Sequence, residues 1–306
     1  MAYNAAVLIL VFNRPPQTLA LLQCIQKAGI SRLYVHCDAA RPDRPGEDLL
    51  VRQVKDTIAR NLPEPDCQVF YRYRDHNMGL RVGVADALNW FFREEPYGIV
   101  LEDDCLPDLS FFKFCNELLE YYKDDHRVMH IAGSNLAQDF TESSPESYVF
   151  SHFCFVWGWA SWRRAWNHIN LEINDLEAFE ISGTLEAFLP GPMSRTYLSG
   201  KFRDTRDGRI QSWAYAWFYS ILSLDGICIV PSVNLIQNTG IGEKGATNTT
   251  RSNKTAERKS SEMHFPLIHP VLQDTDPGLE QVFFYTSQKK QWRLWLWYLL
   301  KKTGLR

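Results

Sequence analysis

Three consecutive carboxylates, Glu102-Asp103-Asp104, directly follow an apolar run that ends at Leu101. Adjacent carboxylates repel one another, and their oxygens are the ligands that a hard divalent cation such as Mn²⁺ or Mg²⁺ prefers. A cation held at the end of a strand is well placed to neutralise a diphosphate. The alternative is a solvated acidic turn before Pro107, but the buried character of the preceding strand favours a metal site.

Polar residues also follow two other predicted strands. Asn13 and Arg14 come after an apolar run over 5–12, and Asp38 comes after a predicted strand over 32–36. Ligands of open α/β sheets bind beyond the carboxyl ends of the parallel strands. These positions and the acidic triplet are therefore expected to lie together at one edge of a sheet.

The elements that must position these residues alternate along the first third of the chain. The predicted strands are 5–12, 32–36, 67–73 and 98–101, and the predicted helices between them are 18–28, 47–61 and 82–93. This alternation predicts an α/β fold with a doubly wound parallel sheet and right-handed crossovers. The rest is less regular, with predicted helices at 110–123 and 213–224, strands at 128–132 and 227–230, a variable helical segment at 171–197 and a polar loop at 239–261.

Composition narrows the class of protein. A chain of 306 residues that is 45% hydrophobic can form one large domain or two small ones with a sizeable core. The net charge of −3 argues against a nucleic-acid partner. Seven scattered cysteines without a CxxC pair are typical of reduced thiols in a cytoplasmic protein. The sequence suggests neither a secretion signal nor a segment of about 20 apolar residues that would span a bilayer.

Four segments in order resemble a known family. Residues 8–15, Asp38, Asn77-Met78-Gly79 and 101–107 resemble the GT-A glycosyltransferases that carry a Glu-Asp-Asp form of the Asp-x-Asp motif. That form occurs in N-acetylglucosaminyltransferases of the N-glycan pathway and in a group of bacterial nucleotide-diphospho-sugar transferases. Three later segments, 157–162, 213–217 and 231–240, resemble the bacterial group. Together, the resembling segments cover roughly residues 5–272.

The resemblance implies a fold, an activity and a division of the chain. The fold is Rossmann-like, a mostly parallel sheet flanked by helices. The activity is metal-dependent transfer of a sugar from a nucleotide-diphosphate donor, with a UDP-sugar favoured, to a glycan or lipid-linked glycan, with inversion. Residues 1–107 form the nucleotide-sugar half and 108–272 the acceptor half. Beyond the resembling residues, the residue pattern itself predicts a C-terminal amphipathic helix in a helical tail over 273–306.

The resemblance also implies roles for single residues. Asp104 ligates the metal, while Glu102 and Asp103 contact ribose or sugar hydroxyls. Asp38 accepts a hydrogen bond from the nucleobase. Asn13 and Arg14 line the same pocket, although Arg14 has the alternative of a helix cap or a surface ion pair. A further contact is expected from Asn77, for which a plain turn position is an equal alternative.

The tryptophans at 157, 159, 162 and 166 have two interpretations. Indole rings stack on sugars, which suits an acceptor site, and they equally suit a buried aromatic core. We expect Trp157 or Trp159 to contact substrate. Trp162 and Trp166 are expected to lie in the core.

The sequence departs from the resembling group where a catalytic base is expected. An inverting transferase needs a carboxylate to take the acceptor proton, and the group has an aspartate near 213–217, where this chain has Gln211 and Ser212. The nearest candidates are Asp207 and Asp204, although Asp207-Gly208 is equally a turn signal. A displaced base, a retaining mechanism and a catalytically inactive glycan- or nucleotide-binding protein all stay open.

A second departure concerns a histidine. The resembling pattern often has histidine where Asn248 stands, as a metal or phosphate ligand. His269 is the expected replacement as a metal ligand, with His264 as an alternative. A structural role beside proline is the other interpretation of both.

The segment 288–302 contains three tryptophans, five cationic residues and no acidic residue. A cationic, tryptophan-rich helix of this length suits the headgroup region of a membrane. Packing on the domain and a dimer contact are the alternatives. Membrane binding predicts a peripheral protein at the inner face of the membrane with a lipid-linked oligosaccharide as acceptor.

Overall fold

The computed structural model describes residues 4–62, 67–142, 144–189, 191–240 and 258–287. The strands are β1 (Ala6–Val11), β2 (Arg32–Cys37), β3 (Gln68–Tyr73), β4 (Tyr97–Glu102), β5 (Cys105–Pro107), β6 (Val128–Ala132), β7 (Tyr148–Ser151), β8 (Trp159–Trp162), β9 (Ile227–Pro231) and β10 (Ile236–Asn238). The helices are α1 (Pro15–Ala28), α2 (Glu47–Arg60), α3 (Gly79–Glu94), α4 (Leu109–Tyr121), α5 (Arg163–Trp166), α6 (Leu176–Ile181), α7 (Thr184–Phe188), α8 (Pro192–Arg206), α9 (Trp213–Ser223) and α10 (Pro277–Ser287).

Eight strands form one sheet in the order β3-β2-β1-β4-β8-β6-β9-β7, and β5 pairs with β10 separately. β1 to β4 are parallel to one another, as are β6 and β9, whereas β8 and β7 are antiparallel to their neighbours. The predicted α/β fold class, a mostly parallel sheet flanked by helices, is confirmed. Strands from both predicted halves, 1–107 and 108–272, enter this one sheet.

The strand order reverses between β1 and β4. The chain builds β2 and β3 on one side of β1 and then returns to place β4 on the other side. Open α/β sheets have their ligand crevice at such a switch point, beyond the carboxyl ends of the strands. β1 is buried along its whole length between β2 and β4, which is why its sequence is apolar without alternation.

Two helices begin earlier than the sequence pattern predicts. α1 begins at Pro15 instead of residue 18, because proline suits the first helical position, where its missing N–H leaves no hydrogen bond unmade. It ends at Ala28, and the capping residue Gly29 has a left-handed φ of 67°. α3 begins at Gly79 instead of residue 82. Both early starts bring a helix N-terminus close to the carboxyl edge of the sheet.

The tryptophan-rich segment contains a strand, β8, that the sequence analysis does not predict. β8 lies between β4 and β6 and is buried on both faces, so it lacks the polar-apolar alternation that marks a strand. Trp159 packs with Trp166 and Trp217 on one face of the sheet. On the other face the Trp162 indole N–H donates to the Leu119 carbonyl at 3.0 Å.

The end of the described chain packs onto the domain. Phe283 and Phe284 of α10 are buried in a core cluster beneath the irregular second half. The tail 288–302, with its predicted membrane contact, lies outside the described residues. Among the helices that the structure describes, none is both long and apolar enough to span a bilayer. All seven cysteines lie in described segments, and all are free thiols.

Candidate functional site

A cavity of about 290 Å³ opens at the switch point between β1 and β4. It brings together most of the residues that the sequence analysis selects: Asn13, Arg14, Asp38, Asn77, Glu102, Asp103, Asp104 and Trp157. They come from the ends of β1, β2 and β4 and from the segments before α3 and β8. The volume is at the lower end of the range for small-molecule sites.

Arg14 bridges two carboxylates of the acidic triplet. Its Nη1 lies 2.7 Å from Asp103 Oδ1 and 2.9 Å from Asp104 Oδ2. Asp103 is also tied to β1, because its backbone N–H donates to the Leu10 carbonyl and its Oδ2 accepts from the Phe12 N–H at 3.3 Å. A guanidinium thus lies among the oxygens where the sequence predicts a cation.

Burial makes the triplet electrostatically unfavourable without a positive charge. Desolvation, followed by repulsion from Asp104 and Asp103, raises the pKa of Glu102 to about 8. Desolvation also raises the pKa of Asp103 to about 6, although the charge of Arg14 opposes this rise. The side chains of Asp103 and Asp104 are only 6% and 13% exposed. Any cation that enters here gains from charges that water screens poorly.

The β5–β10 ribbon fixes Asp104. The Thr239 N–H donates to the Asp104 carbonyl at 2.7 Å, and the Asn238 carboxamide accepts from the Gly240 N–H at 2.9 Å. A Cβ on Gly240 would lie 2.2 Å from Asp104 Oδ2, so only glycine permits this approach. Asn238 also lines the cavity.

The donors at this position have the chemistry that Mn²⁺ or Mg²⁺ requires, since they are oxygens with a surplus of negative charge. Within the described ranges, however, no three His, Cys, Asp or Glu side chains converge as a complete metal site. Mg²⁺ is commonly bound through one or two carboxylates, with waters and substrate phosphates supplying the other ligands. Asp104 and Asp103 fit that partial set, and a metal there would share their oxygens with Arg14.

At the other end of the cavity, Asp38 joins β2 to α3. Its carboxylate accepts hydrogen bonds from the backbone N–H groups of Met78, at 3.1 Å, and Gly79, at 3.2 Å. Asn77 donates to the Ala39 carbonyl at 2.6 Å, so it is a turn residue and a cavity residue at once. The Ala39 N–H also donates to Asp38 Oδ1 at 2.9 Å, so backbone groups hold both oxygens of this carboxylate.

One buried carboxylate that the sequence analysis does not select organises the cavity rim. Glu47, 6% exposed, accepts from Asn13 Nδ2 at 3.0 Å and from the Arg41 N–H at 2.8 Å. Hydrogen bonds from the Arg41 side chain hold the pKa of Glu47 below its usual range. Arg41 also lies over the Phe12 ring and lines the cavity. In the sequence, Glu47 is recognisable as an acidic residue at the first position of α2. That position does not reveal its role at the cavity, because a favourable interaction with the helix dipole explains it equally well.

The opposite wall comes from the second half of the chain. It contains Trp157 and the start of α9, where the Ser212 hydroxyl caps the helix by accepting from the Tyr215 N–H. Trp159 does not line the cavity: it is 1% exposed and stacks on Trp213 at 5.7 Å between ring centroids. Of the two tryptophans considered for substrate contact, only Trp157 is therefore available to a ligand in this cavity.

The two aspartates expected as catalytic bases lie outside the cavity lining. Asp204 Oδ1 is 2.8 Å from Arg209 Nε, at the end of α8. Asp207 is paired with Arg206 at 2.9 Å and with Arg209 at 2.9 Å. The hydrogen bond from Arg206 lowers the pKa of Asp207, which makes that carboxylate a weaker base. Their catalytic role stays a prediction.

The expected histidine ligand also lies apart from the acidic triplet. His269 Nδ1 is 2.8 Å from the Tyr148 hydroxyl, and its ring stacks on Tyr121 at 4.2 Å. Neither His269 nor His264 lines the cavity. The segment 245–249, which contains Asn248, lies outside the described residues. A metal-binding role for His269 stays a prediction.

Comparisons with known proteins give only distant likenesses. No protein-family model and no curated protein sequence matches this chain. Among solved structures, mouse xyloside xylosyltransferase 1 matches with 13% identity over 74% of this chain and 82% of that chain, at a TM-score of 0.35. A 4-diphosphocytidyl-2C-methyl-D-erythritol synthase from Anaerococcus prevotii matches with 9% identity over 74% and 86%, at 0.36. A UDP-glucose pyrophosphorylase in complex with UDP-glucose matches with 9% identity over 48% and 62%, at 0.27. At these TM-scores, the likenesses assign neither a fold family nor a function.

Proposed function

We propose that this protein is a glycosyltransferase that moves a sugar from a nucleotide-diphosphate donor, with a UDP-sugar favoured, to a glycan or lipid-linked glycan. One observation carries the proposal: the acidic triplet, Arg14 and Asp38 converge in one cavity at the switch point of the sheet. A diphosphate needs positive charge, and a nucleobase needs a hydrogen-bonding partner. Arg14, beside the acidic triplet, offers the first, and Asp38 at the end of β2 offers the second.

Each part of the donor has a partner in this proposal. Asp104, with Asp103 beside it, would hold Mn²⁺ or Mg²⁺, and a metal bound there would supply the Lewis acidity that favours departure of the nucleoside diphosphate. Glu102 contacts ribose or sugar hydroxyls. Asn13, fixed by Glu47, lines the nucleotide pocket. Trp157 offers an aromatic face to the acceptor sugar on the opposite wall.

The first experiment measures hydrolysis of a panel of nucleotide sugars with and without Mn²⁺, on wild type and on Asp104→Asn. We expect slow, metal-dependent hydrolysis of one donor by wild type, and at least a hundredfold loss in the variant. Asp48→Asn is the matched control, because that carboxylate is 62% exposed and pairs with Arg52 on the surface. Hydrolysis that survives in Asp104→Asn would contradict the proposed metal ligand. Absence of both binding and hydrolysis for every donor would contradict the function.

A second candidate is a nucleotide- or glycan-binding protein that does not turn over its ligand. It is favoured by the ion pairs that hold Asp204 and Asp207 outside the cavity. If either residue is the base of an inverting reaction, its change to asparagine lowers transfer to an acceptor but leaves donor binding intact. The anomeric configuration of the product, read by NMR, separates inversion from retention. Tight donor binding with neither hydrolysis nor transfer would support the non-catalytic candidate.

We further propose that the tail 288–302 places the protein on the cytoplasmic face of a membrane, near a lipid-linked acceptor. Its five cationic residues and three tryptophans support this proposal. Sedimentation of the full chain with vesicles tests it. Binding to vesicles with anionic lipid that weakens at high salt is expected, whereas equal binding to neutral vesicles, or none, would contradict it.

A further inference from the structure

A second cavity, of about 530 Å³, lies at the far end of α9 from the candidate site. Residues 212–214 at the start of α9 line the first cavity, whereas residues 222–225 at its end line the second. The eleven residues of α9 span about 16 Å at 1.5 Å per residue. The second cavity is therefore a separate place in the fold, with a volume in the usual range for small-molecule sites.

A buried carboxylate orients a histidine on the wall of the second cavity. Nδ1 of His152 lies 3.3 Å from Oε1 of Glu280, a residue of α10 that is only 2% exposed. Glu280 also accepts from the His152 backbone N–H at 2.9 Å and from the Ser151 hydroxyl at 3.1 Å. Because an ionised carboxylate only accepts, Nδ1 carries a proton, and Nε2 is the nitrogen that His152 can offer to a ligand. The His152 side chain is 16% exposed, so it is accessible from the cavity that it lines.

The hydroxyl groups of the second cavity act on a ligand mainly as acceptors. The Ser182 hydroxyl donates to the Phe179 carbonyl at 2.8 Å, so the Thr184 hydroxyl, 2.8 Å away, donates to Ser182. The Ser223 hydroxyl donates to the Ser220 carbonyl at 3.0 Å. These protons are used within the protein, while the oxygens of Thr184 and Ser223 keep lone pairs that can accept. A ligand that fits this wall must donate hydrogen bonds.

The charge of the second cavity disfavours an anion. Asp225, which follows α9 with a left-handed φ of 53°, adds an exposed carboxylate to the wall. Two carboxylates, Asp225 and Glu280, stand against one imidazole, so the balance is negative in either charge state of His152. The rest of the wall includes apolar surface from Ala187 and Leu224. Within the described ranges, no three metal-ligating side chains converge here, so a metal ion is not the expected occupant.

We propose that the second cavity binds one ring of a neutral saccharide. The sugar hydroxyls donate to Thr184, Ser223 and Asp225, and a further hydroxyl either donates to Nε2 of His152 or accepts from it, whichever charge the ring carries. The C–H face of the sugar packs on the apolar surface of Leu224. A small ammonium ligand would satisfy the acceptors but leave that apolar surface uncovered. The site does not rest on the proposed function: a free sugar and the remote part of a glycan chain both have this chemistry.

NMR titration of the full chain tests the inference with glucose, cellotetraose, maltotetraose and chitotetraose as neutral probes and glucuronic acid as an anionic probe. At least one neutral probe is expected to bind, and more tightly than glucuronic acid. Thr184→Val keeps the side-chain shape but removes an acceptor, and Asp225→Gly removes the carboxylate while glycine adopts the left-handed φ without strain. Each variant should bind the neutral probe about tenfold more weakly, the size of one net hydrogen bond. Thr196→Val on α8 is the matched control, because that hydroxyl donates to the Pro192 carbonyl outside the cavity lining.

Each other outcome has a distinct meaning. Failure of every neutral probe to bind wild type would overturn the inference, as would tighter binding of glucuronic acid. Unchanged affinity in both Thr184→Val and Asp225→Gly, or its loss in Asp104→Asn, would place the saccharide elsewhere and also overturn it. A tetrasaccharide that binds more tightly than glucose identifies a glycan chain as the ligand, and equal binding identifies a free sugar; either result supports the site. Saccharide binding by a wild type that hydrolyses no nucleotide sugar would count against the proposed function and leave this inference standing.

Discussion

The ion pairs of Arg14 with Asp103 and Asp104 lead to a quantitative prediction for Arg14→Ala. At pH 7 Glu102, with a pKa raised to about 8, is mostly protonated, so Arg14 faces chiefly Asp103 and Asp104. Breaking a buried pair by removing one partner costs about 3–5 kcal/mol. The Arg14 side chain is 21% exposed, so water screens part of the charge left behind. We expect Arg14→Ala to lower the free energy of unfolding by about 2–4 kcal/mol.

The loss should depend on pH and on divalent metal. In wild type the pKa of Asp103 is about 6, because Arg14 opposes the rise that burial causes. Without Arg14 this pKa should be higher, so the carboxylate is more acidic in wild type than in the variant. The deficit of the variant is therefore largest above pH 6 and shrinks as Asp103 takes up a proton at lower pH. Mn²⁺ should stabilise the variant more than wild type, because in the variant it meets no competing guanidinium. A metal at 100 times its dissociation constant adds about 2.7 kcal/mol.

Urea unfolding followed by tryptophan fluorescence at pH 7.5 and pH 5, with and without Mn²⁺, measures these effects. Arg52→Ala is the matched control, since Arg52 and its partner Asp48 are 68% and 62% exposed and such a pair contributes at most about 1 kcal/mol. An Arg14→Ala protein as stable as the control would refute the electrostatic reasoning. Equal stabilisation of wild type and variant by Mn²⁺ would show that metal and guanidinium do not share the same oxygens.

Three further predictions concern backbone and buried groups. Gly83→Ala should stabilise α3 by up to about 1 kcal/mol, because alanine is the better helix former. The added methyl group should weaken UDP binding. A loss of stability in urea would contradict the 3.4 Å distance between the added Cβ and Asp38 Oδ2. Gly240→Ala should destabilise the protein by about 1–3 kcal/mol and reduce metal-dependent hydrolysis, because the added Cβ overlaps Asp104. Unchanged hydrolysis kinetics would argue against that contact. His130 has a pKa lowered to about 4 by burial, so the folded state resists its protonation. Relative to His130→Gln, wild type should lose up to about 3 kcal/mol of stability as the pH falls from 7 to 4, and parallel pH profiles would contradict this.

The local pattern of the sequence predicts much of the sheet. The apolar runs that become β1 and β4 are long and central, and the polar residues after them must lie where parallel strands end. The strand pattern alone therefore places Asn13 and the acidic triplet at one edge of the sheet. The pattern does not predict β8, because a strand buried on both faces has no periodicity that separates it from a helix.

The candidate site also has features that the sequence determines and features that depend on the tertiary structure. The sequence by itself determines which chemical groups stand at the strand ends, because residue type and strand periodicity are local properties. Only the tertiary structure decides that Arg14 pairs with Asp103 across 89 residues, that Trp157 but not Trp159 lines the cavity, and that the Asp207 carboxylate is tied to arginines outside it. Such contacts depend on which strands become neighbours and on how each loop folds back, and these outcomes are set by the packing of the whole chain.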